Sequence, residues 1–265
     1  NVVYPFGGAD LVTLLTVYPD ASLYSSISLE PSGDPRALAR TGKRQLREEL
    51  TFLGAKIRQQ YAFSHSRTAN LRTLGYRALT AELAFNLVAL RVYGYKAVDL
   101  RYFSVRGDGS LRYVTDAELT RLATETKAGS SAYYKRTRKL FAHMELTFKK
   151  PDGELKTYRH LMGNLGDGKF EKNLGLIRYL EGQGRITTLF KAASFLVGLK
   201  SFSHIRALLL SQADWMVSDS TGVLPEQARK AGFEQITYGK YKGAFLKGGA
   251  WTDAHLVKLW SSQPH

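Results

Sequence analysis

The sequence predicts an α/β fold of the Rossmann type, with a mostly parallel sheet, helices on both faces and an antiparallel hairpin element. The first thirty residues have the pattern of a strand, a glycine turn, a short helix and a second strand. The last third of the chain again alternates helix and strand patterns. Between them, residues 97–160 carry two hairpin signals around Gly-containing turns. We expect one domain of 265 residues, in which 97–160 is an insertion or an extension of the main sheet.

The opening βαβ unit carries the strongest pattern. Asn1–Phe6 is an apolar, strand-favouring run, and Gly7-Gly8 can take the positive φ angles of a tight turn. Residues 9–18 place apolar side chains on one helical face, and a second strand follows and ends at Glu30. In nucleotide-binding βαβ units the turn holds the cofactor and the acid binds ribose hydroxyls. The alternative is a turn that only links strand to helix, with Asp10 at the helix N-terminus.

Periodic patterns assign the remaining elements. Asp34 and Pro35 begin an amphipathic helix that continues to about Gln60, and a second long helix ends at Gly94. A helix at 116–141 separates the two hairpins. In the last third we expect helices at 168–180 and 202–211, strands at 185–191 and 215–219, and a short helix at 225–231. A strand pair at 236–246 and a terminal helix at 253–260 complete the chain.

The composition favours an anionic partner. Lys and Arg number 38 against 23 Asp and Glu, a net charge of +15, so nucleic acid, acidic polysaccharide or a membrane surface are candidate partners. A basic but unspecialised surface is the alternative. The absence of cysteine excludes disulfides and thiolate metal sites, and no apolar run has the length of a membrane span. The chain begins with Asn rather than Met, so we expect a processed protein that is secreted or periplasmic, or a cytoplasmic one if no signal peptide precedes residue 1.

Charged and polar residues near the ends of two later strands form a candidate anion site. Lys191 and Asp219 lie at predicted strand ends, with Ser194 and Arg206 between them. Because ligands bind outside the carboxyl ends of parallel strands, these residues are expected in the same crevice as the first turn. A Lys191–Asp219 ion pair beside Arg206 would suit a phosphate, sulfate or carboxylate, and a structural salt bridge is the alternative. The candidate ligand-binding residues are Gly7, Gly8, Asp10, Glu30, Lys191, Ser194, Arg206 and Asp219.

Two basic clusters are candidates for binding a polyanion. One lies on the predicted 35–60 helix and the other interleaves tyrosines with cations at 133–139, as binders of single-stranded nucleic acid or sugar polymers do. A solvated helix face is the alternative for both. The six histidines lack metal-binding spacing, so no metal site is predicted. The clusters comprise Arg36, Arg40, Lys43, Arg44 and Arg47, and Lys135, Arg136, Arg138 and Lys139.

The segments Val3–Ala9 and Leu29–Pro31 resemble the first cofactor motif of class I S-adenosylmethionine methyltransferases. The resemblance implies that Gly7 and Gly8 let the methionine end of S-adenosylmethionine approach the backbone, and that Glu30 binds its ribose. The chain departs from the family pattern at Tyr4, where an acid is usual, and at Asp10, where a small residue is usual. The Asn/Asp-Pro-Pro-aromatic motif of amino-methylating enzymes is absent from the sequence.

A second resemblance spans most of the chain. The Tyr-Pro-Phe-Gly-Gly-x-Asp opening, the Leu-Glu-Pro turn and a C-terminal stretch are similar to those of a family of uncharacterised secreted bacterial proteins, which implies secretion but no activity. That C-terminal stretch includes Lys191, Ala193, Ser194, Phe202, Ser203, Ile205, Arg206 and 219–222.

These observations support three functional hypotheses. In the first, the chain has no assigned activity and binds an anionic ligand at the strand-end crevice of a degenerate methyltransferase-like scaffold. In the second, it is an S-adenosylmethionine-dependent methyltransferase acting on an anionic substrate. In the third, it is a secreted module that binds an anionic polymer through its basic helices.

Overall fold

Five mutually parallel strands form the centre of the sheet in this computed structural model, which describes residues 1–36, 41–62, 80–125, 131–218, 222–238 and 257–262. The first strand of the chain lies in the middle. The next parallel strands along the chain lie on one side of this first strand, and the last two lie on its other side. In spatial order the five are β6 (Leu155–Met162), β2 (Leu23–Ser28), β1 (Val2–Pro5), β7 (Ile186–Phe190) and β8 (Ala213–Ser218).

Antiparallel strands extend this sheet at both edges. Beyond β6 lie β5 (His143–Lys149), β3 (Lys96–Val105) and β4 (Leu111–Tyr113), each antiparallel to its neighbour. Beyond β8 lies β10 (Val257–Ser262), which pairs antiparallel with both β8 and β9 (Phe233–Tyr238). The α/β Rossmann-like fold predicted from the sequence is confirmed. The hairpin strands of the middle segment are continuous with the main sheet.

Alternation along the strands builds a core on each face of the sheet. Val3 belongs to one buried cluster while Val2 and Tyr4 belong to the other, because successive strand side chains point to opposite faces. The Val3 cluster is covered by α6 (Asp167–Phe170), α7 (Leu174–Glu181), α8 (Ser203–Gln212) and α9 (Pro225–Lys230). The other face is covered by α1 (Leu11–Val17), α3 (Ala81–Val92), α4 (Asp116–Glu125) and α5 (Ser131–Leu140), with α2 (Lys43–Ala62) packing through Leu53 on α3.

Several element predictions are wrong. The predicted terminal helix is the strand β10, because this segment pairs with β8 and β9, and such tertiary pairing outweighs local periodicity. The helix predicted at 168–180 is two helices, since the Asn173 side chain accepts a hydrogen bond from the Leu176 amide and starts α7 anew. The helix predicted from Pro35 begins at Lys43. Residues 63–79 and 239–256, where further helix and strand were predicted, lie outside the described residues.

The described helices include none that is both long enough and apolar enough to cross a membrane.

Candidate functional site

The strand order reverses between β1 and β7, where the chain switches from one side of the sheet to the other. In open α/β sheets the carboxyl ends of the strands at such a point leave a crevice that binds ligands. Two segments meet there in this protein: the turn 6–10 after β1, and Lys191 directly after β7. The topology therefore places these two segments at the position where a ligand is expected.

Lys191 and Asp10 form an ion pair at this point. The Lys191 ammonium donates to Asp10 Oδ2 at 2.9 Å and to the Thr13 hydroxyl at 2.7 Å. The Asp10 carboxylate also accepts from Thr13 at 2.8 Å and from the Tyr4 hydroxyl at 3.2 Å. The Asp10 side chain is only 6% exposed, whereas that of Lys191 is 22% exposed. The cation is thus the half of the pair that reaches solvent.

Ser194 and Arg206 hold the segment after β7 in place. The Ser194 hydroxyl is fully buried and donates to the Pro5 carbonyl at 2.8 Å. The Arg206 guanidinium donates to the carbonyls of Val197 and Leu199 at 2.7 and 2.8 Å. The structure therefore assigns both side chains a role in backbone anchoring next to Lys191. Asp219, the partner predicted for Lys191, lies outside the described residues.

Contacts within the chain account for both glycines of the first turn. A Cβ on Gly7 would lie 2.3 Å from the Tyr4 ring, so only glycine fits there. Gly8 has a φ of +32°, and its carbonyl accepts from the buried Tyr158 hydroxyl at 2.7 Å. Phe6, directly before the two glycines, has a φ of +62°. This left-handed conformation costs a non-glycine residue about 1–2 kcal/mol of conformational free energy. Its ring packs edge-to-face on Phe202, 5.5 Å away between centroids.

Glu30 follows β2, as the sequence predicts, and is half-buried. Its carbonyl accepts from His160 Nε2 at 2.8 Å, and its amide donates to the Ser28 hydroxyl at 3.3 Å. Burial lowers the pKa of His160 to about 4, so this ring is neutral at pH 7. With its proton on Nε2, His160 has an unprotonated Nδ1.

Two polar residues of α3 lie beside the glycine turn but were not among the site residues predicted from the sequence. Asn86 Oδ1 accepts from the Leu11 amide at 3.1 Å and so satisfies the first amide of α1. Glu82, four residues earlier on the same helix face, is buried, and burial with the nearby Glu30 raises its pKa to about 8. The sequence contained a signal for them, because Glu82 and Asn86 are spaced i, i+4 in a helix whose only other charged residue is Arg91 in its last turn.

The basic residues at the start of α2 and on α5 are exposed. Lys43, Arg44 and Arg47 project from the first turns of α2, where Arg44 lies 4.0 Å from Glu48 in a loose, exposed ion pair. Lys135, Arg136, Arg138 and Lys139 are all exposed on α5. Arg36 is not part of this surface, because it pairs with Asp34 at 2.8 Å and stacks on Phe141. Arg40 lies outside the described residues.

No protein-family model, curated protein or solved structure matches this chain. The described residues contain no group of three or more His, Asp or Glu side chains arranged to hold a metal ion.

Proposed function

We propose that this chain is a ligand-binding protein on a methyltransferase-like Rossmann scaffold, and that it binds a small anion at the strand-end crevice between β1 and β7. The observation that carries the proposal is the partly exposed side chain of Lys191 at the point where the strand order reverses. The ligand class is a phosphate, sulfate or carboxylate group, which a lysine ammonium binds as a point charge.

The arrangement of the Lys191–Asp10 pair favours an anion over a cation. Asp10 already accepts three hydrogen bonds, from Tyr4, Thr13 and Lys191, and its side chain is almost fully buried. The described contacts use two of the three ammonium protons of Lys191. An incoming anion therefore meets the ammonium first.

The strand order supports the scaffold part of the proposal. The five parallel strands follow the 3-2-1-4-5 order of nucleotide-binding sheets, counted along the parallel strands. The reversed β10 then lies between β8 and β9, so the sheet departs from the dinucleotide-binding order, which continues directly to a sixth strand. We take this departure, together with the opening motif, as support for a methyltransferase-like rather than a dehydrogenase-like origin.

The glycine turn does not fit S-adenosylmethionine well. Tyr4 fills the space beside Gly7, and the side chains of Ser28 and Glu82 lie 3.4–3.9 Å from a Cβ placed on Gly8. A buried acid with a raised pKa and a buried tyrosine thus occupy the neighbourhood that the resemblance assigns to the methionine end of the cofactor. Methyl transfer is for this reason our second proposal, and anion binding without S-adenosylmethionine our first.

Calorimetry with inorganic phosphate and sulfate tests the anion site. We expect saturable binding to the wild type and its loss in Lys191→Met. The matched control is Lys172→Met, which removes an exposed lysine between α6 and α7. Equal binding by both variants would exclude Lys191 as the ligand cation.

A third proposal concerns location and polymers. The resemblance to secreted bacterial proteins supports a location outside the cytoplasm, and detecting the protein in a periplasmic or culture fraction would test it. The exposed cations of α5 favour an additional affinity for acidic polymers.

A further inference from the structure

A cluster of buried polar side chains, distinct from the Lys191–Asp10 pair, lies between α3, the glycine turn and the carboxyl ends of β2 and β6. We call it the Glu82 cluster, and it comprises Ser26, Ser28, Glu82, Asn86 and His160. Glu82 Oε1 and Ser28 Oγ approach the same point, 3.9 and 3.5 Å from a Cβ built on Gly8. Ser26 is paired with His160 across the two strands. Elements distant in the sequence thus converge on one polar region.

Four members of the Glu82 cluster carry a side-chain atom without a well-formed hydrogen bond in the part of the chain that the structure describes, and two of them, Ser26 and Asn86, interact with the Tyr158 hydroxyl. These atoms are Ser26 Oγ, Glu82 Oε1, Asn86 Nδ2 and His160 Nδ1. Each of the four residues is at most 2% exposed. Buried polar groups in proteins are nearly always paired, so Glu82 Oε1 and His160 Nδ1 above all indicate that something outside the chain pairs with them.

The chemistry of these atoms defines what would pair with them. His160 Nδ1 is an acceptor, because the other ring nitrogen donates to the Glu30 carbonyl. Once Glu82 is ionised its Oε1 only accepts, the Ser26 hydroxyl accepts as well as donates, and Asn86 Nδ2 only donates. With Glu82 ionised the region therefore offers more acceptors than donors, which favours a group rich in N–H or O–H donors.

The charges of the groups around the Glu82 cluster favour a cationic ligand. Glu82 lies near Glu30, and neither takes part in an ion pair with a described residue. The other titratable groups facing this region are His160 and Tyr158 from β6 and Asp10 from the turn, and Asp10 is already neutralised by Lys191. Glu82 and the neighbouring Glu30 thus have no matching cation among the described residues.

We propose that the Glu82 cluster binds the ammonium group of a primary amine, with Glu82, Ser26 and His160 accepting its hydrogen bonds. On binding, the neutral carboxyl of Glu82 releases its proton to solvent, and the resulting carboxylate pairs with the incoming ammonium. The charge of the buried region is then balanced, and the acceptor atoms that the chain leaves unpaired are satisfied. Half-buried Glu30 marks the side from which the amine reaches Glu82.

Carbon-13 NMR of labelled glutamate carboxyls tests this proposal, with methylammonium as the probe and tetramethylammonium as its control. The two ions carry the same charge, but only methylammonium donates hydrogen bonds. We expect saturating methylammonium to weaken the proton affinity of Glu82 at least tenfold. Tetramethylammonium at equal ionic strength should leave it unchanged. An equal effect of both ions would show a response to charge alone, and no effect would show that the cluster holds only internal water. Either result would overturn the proposal.

Two variants separate this site from its surroundings. Glu82→Gln keeps the shape of the side chain but cannot ionise, so it should abolish the thermal stabilisation by methylammonium. Glu171→Gln alters an exposed acid of α6's C-terminal flank and should retain it. Lys191→Met should also retain it, so failure of the anion site and failure of the amine site give different results. Loss of the response in Glu171→Gln would refute a specific role for Glu82.

Discussion

The ammonium of Lys191 lies 2.9 Å from the carboxylate of Asp10, although the two residues are 181 positions apart in the chain. The contact joins the start of α1 to the end of β7 at the place where the strand order reverses. Because Asp10 is buried, its charge depends on Lys191 for balance. The pair therefore links the stability of the sheet to the site at which we expect a ligand.

Removing one member of this pair should destabilise the protein. Lys191→Met leaves the Asp10 carboxylate buried without its cation, and we expect the free energy of unfolding to fall by about 3 kcal/mol. Urea denaturation monitored by circular dichroism measures this change. Asp10→Asn in the Lys191→Met background removes the unpaired charge and should recover most of the loss. A double variant as unstable as the single one would show that charge balance is not the cause.

S-adenosylmethionine should show no micromolar binding to the wild-type protein. The physical reason is that Tyr4, Ser28 and Glu82 occupy the space beside Gly7 and Gly8 that the resemblance assigns to the cofactor. Isothermal titration calorimetry at neutral pH provides the measurement. Micromolar binding that disappears in Glu30→Ala would contradict this expectation, and would raise methyl transfer above anion binding as the proposed function.

The fold was predictable where local pattern and tertiary structure agree. The strand, glycine turn, helix and strand of the first thirty residues form as expected, and β7 and β8 begin within two residues of their predicted starts. The prediction failed at 257–262, where no local signal records that the segment completes the edge between β8 and β9. Strand pairing between distant segments is the property that periodicity does not encode.

The proximity of Asp10 and Lys191 was predictable, but the contacts of the candidate site were not. Both residues were predicted to lie near the carboxyl ends of parallel strands, and the structure has them in contact. The pairing itself depends on β1 and β7 being neighbours, which only the full topology reveals. Ser194 and Arg206 have the residue types of an anion site, yet their donors bind backbone carbonyls, which spacing alone does not distinguish.

Ionisation of Glu82 should make the protein less stable as the pH rises. The pKa of this buried carboxyl is raised from 4.5 to about 8, so the folded state holds the proton more tightly than the unfolded state. Its stabilising contribution is complete below pH 4.5 and is lost as the pH rises through 8. In Glu82→Gln this dependence disappears. The free energy of unfolding of Glu82→Gln minus that of the wild type should therefore increase by about 3 kcal/mol between pH 5 and pH 8.

Urea denaturation at those two pH values, with Glu171→Gln as the control for an exposed acid, measures the effect. The control should keep the wild-type pH dependence, because its carboxyl is exposed in the folded protein. A parallel pH dependence in wild type and Glu82→Gln would show that Glu82 ionises normally in the folded state.

The last prediction concerns the exposed cations of α5. Lys135, Arg138 and Lys139 lie at three- and four-residue spacing and should form one basic surface on the helix. An acidic polymer bound there releases counterions, so affinity should be high at low salt and fall steeply as salt increases. Neutralising the three residues together should reduce the slope of log affinity against log salt for single-stranded DNA by about 2.

Binding to heparin and to single-stranded DNA across a salt titration measures this slope. The matched control replaces Lys169, Lys172 and Lys200 with Gln, which removes the same charge from exposed positions outside α5. If both triple variants lose affinity equally, the net charge of +15 and not a defined surface attracts the polymer. If only the α5 variant loses it, the helix is the binding surface, since long-range attraction alone does not distinguish two sets of equal charge.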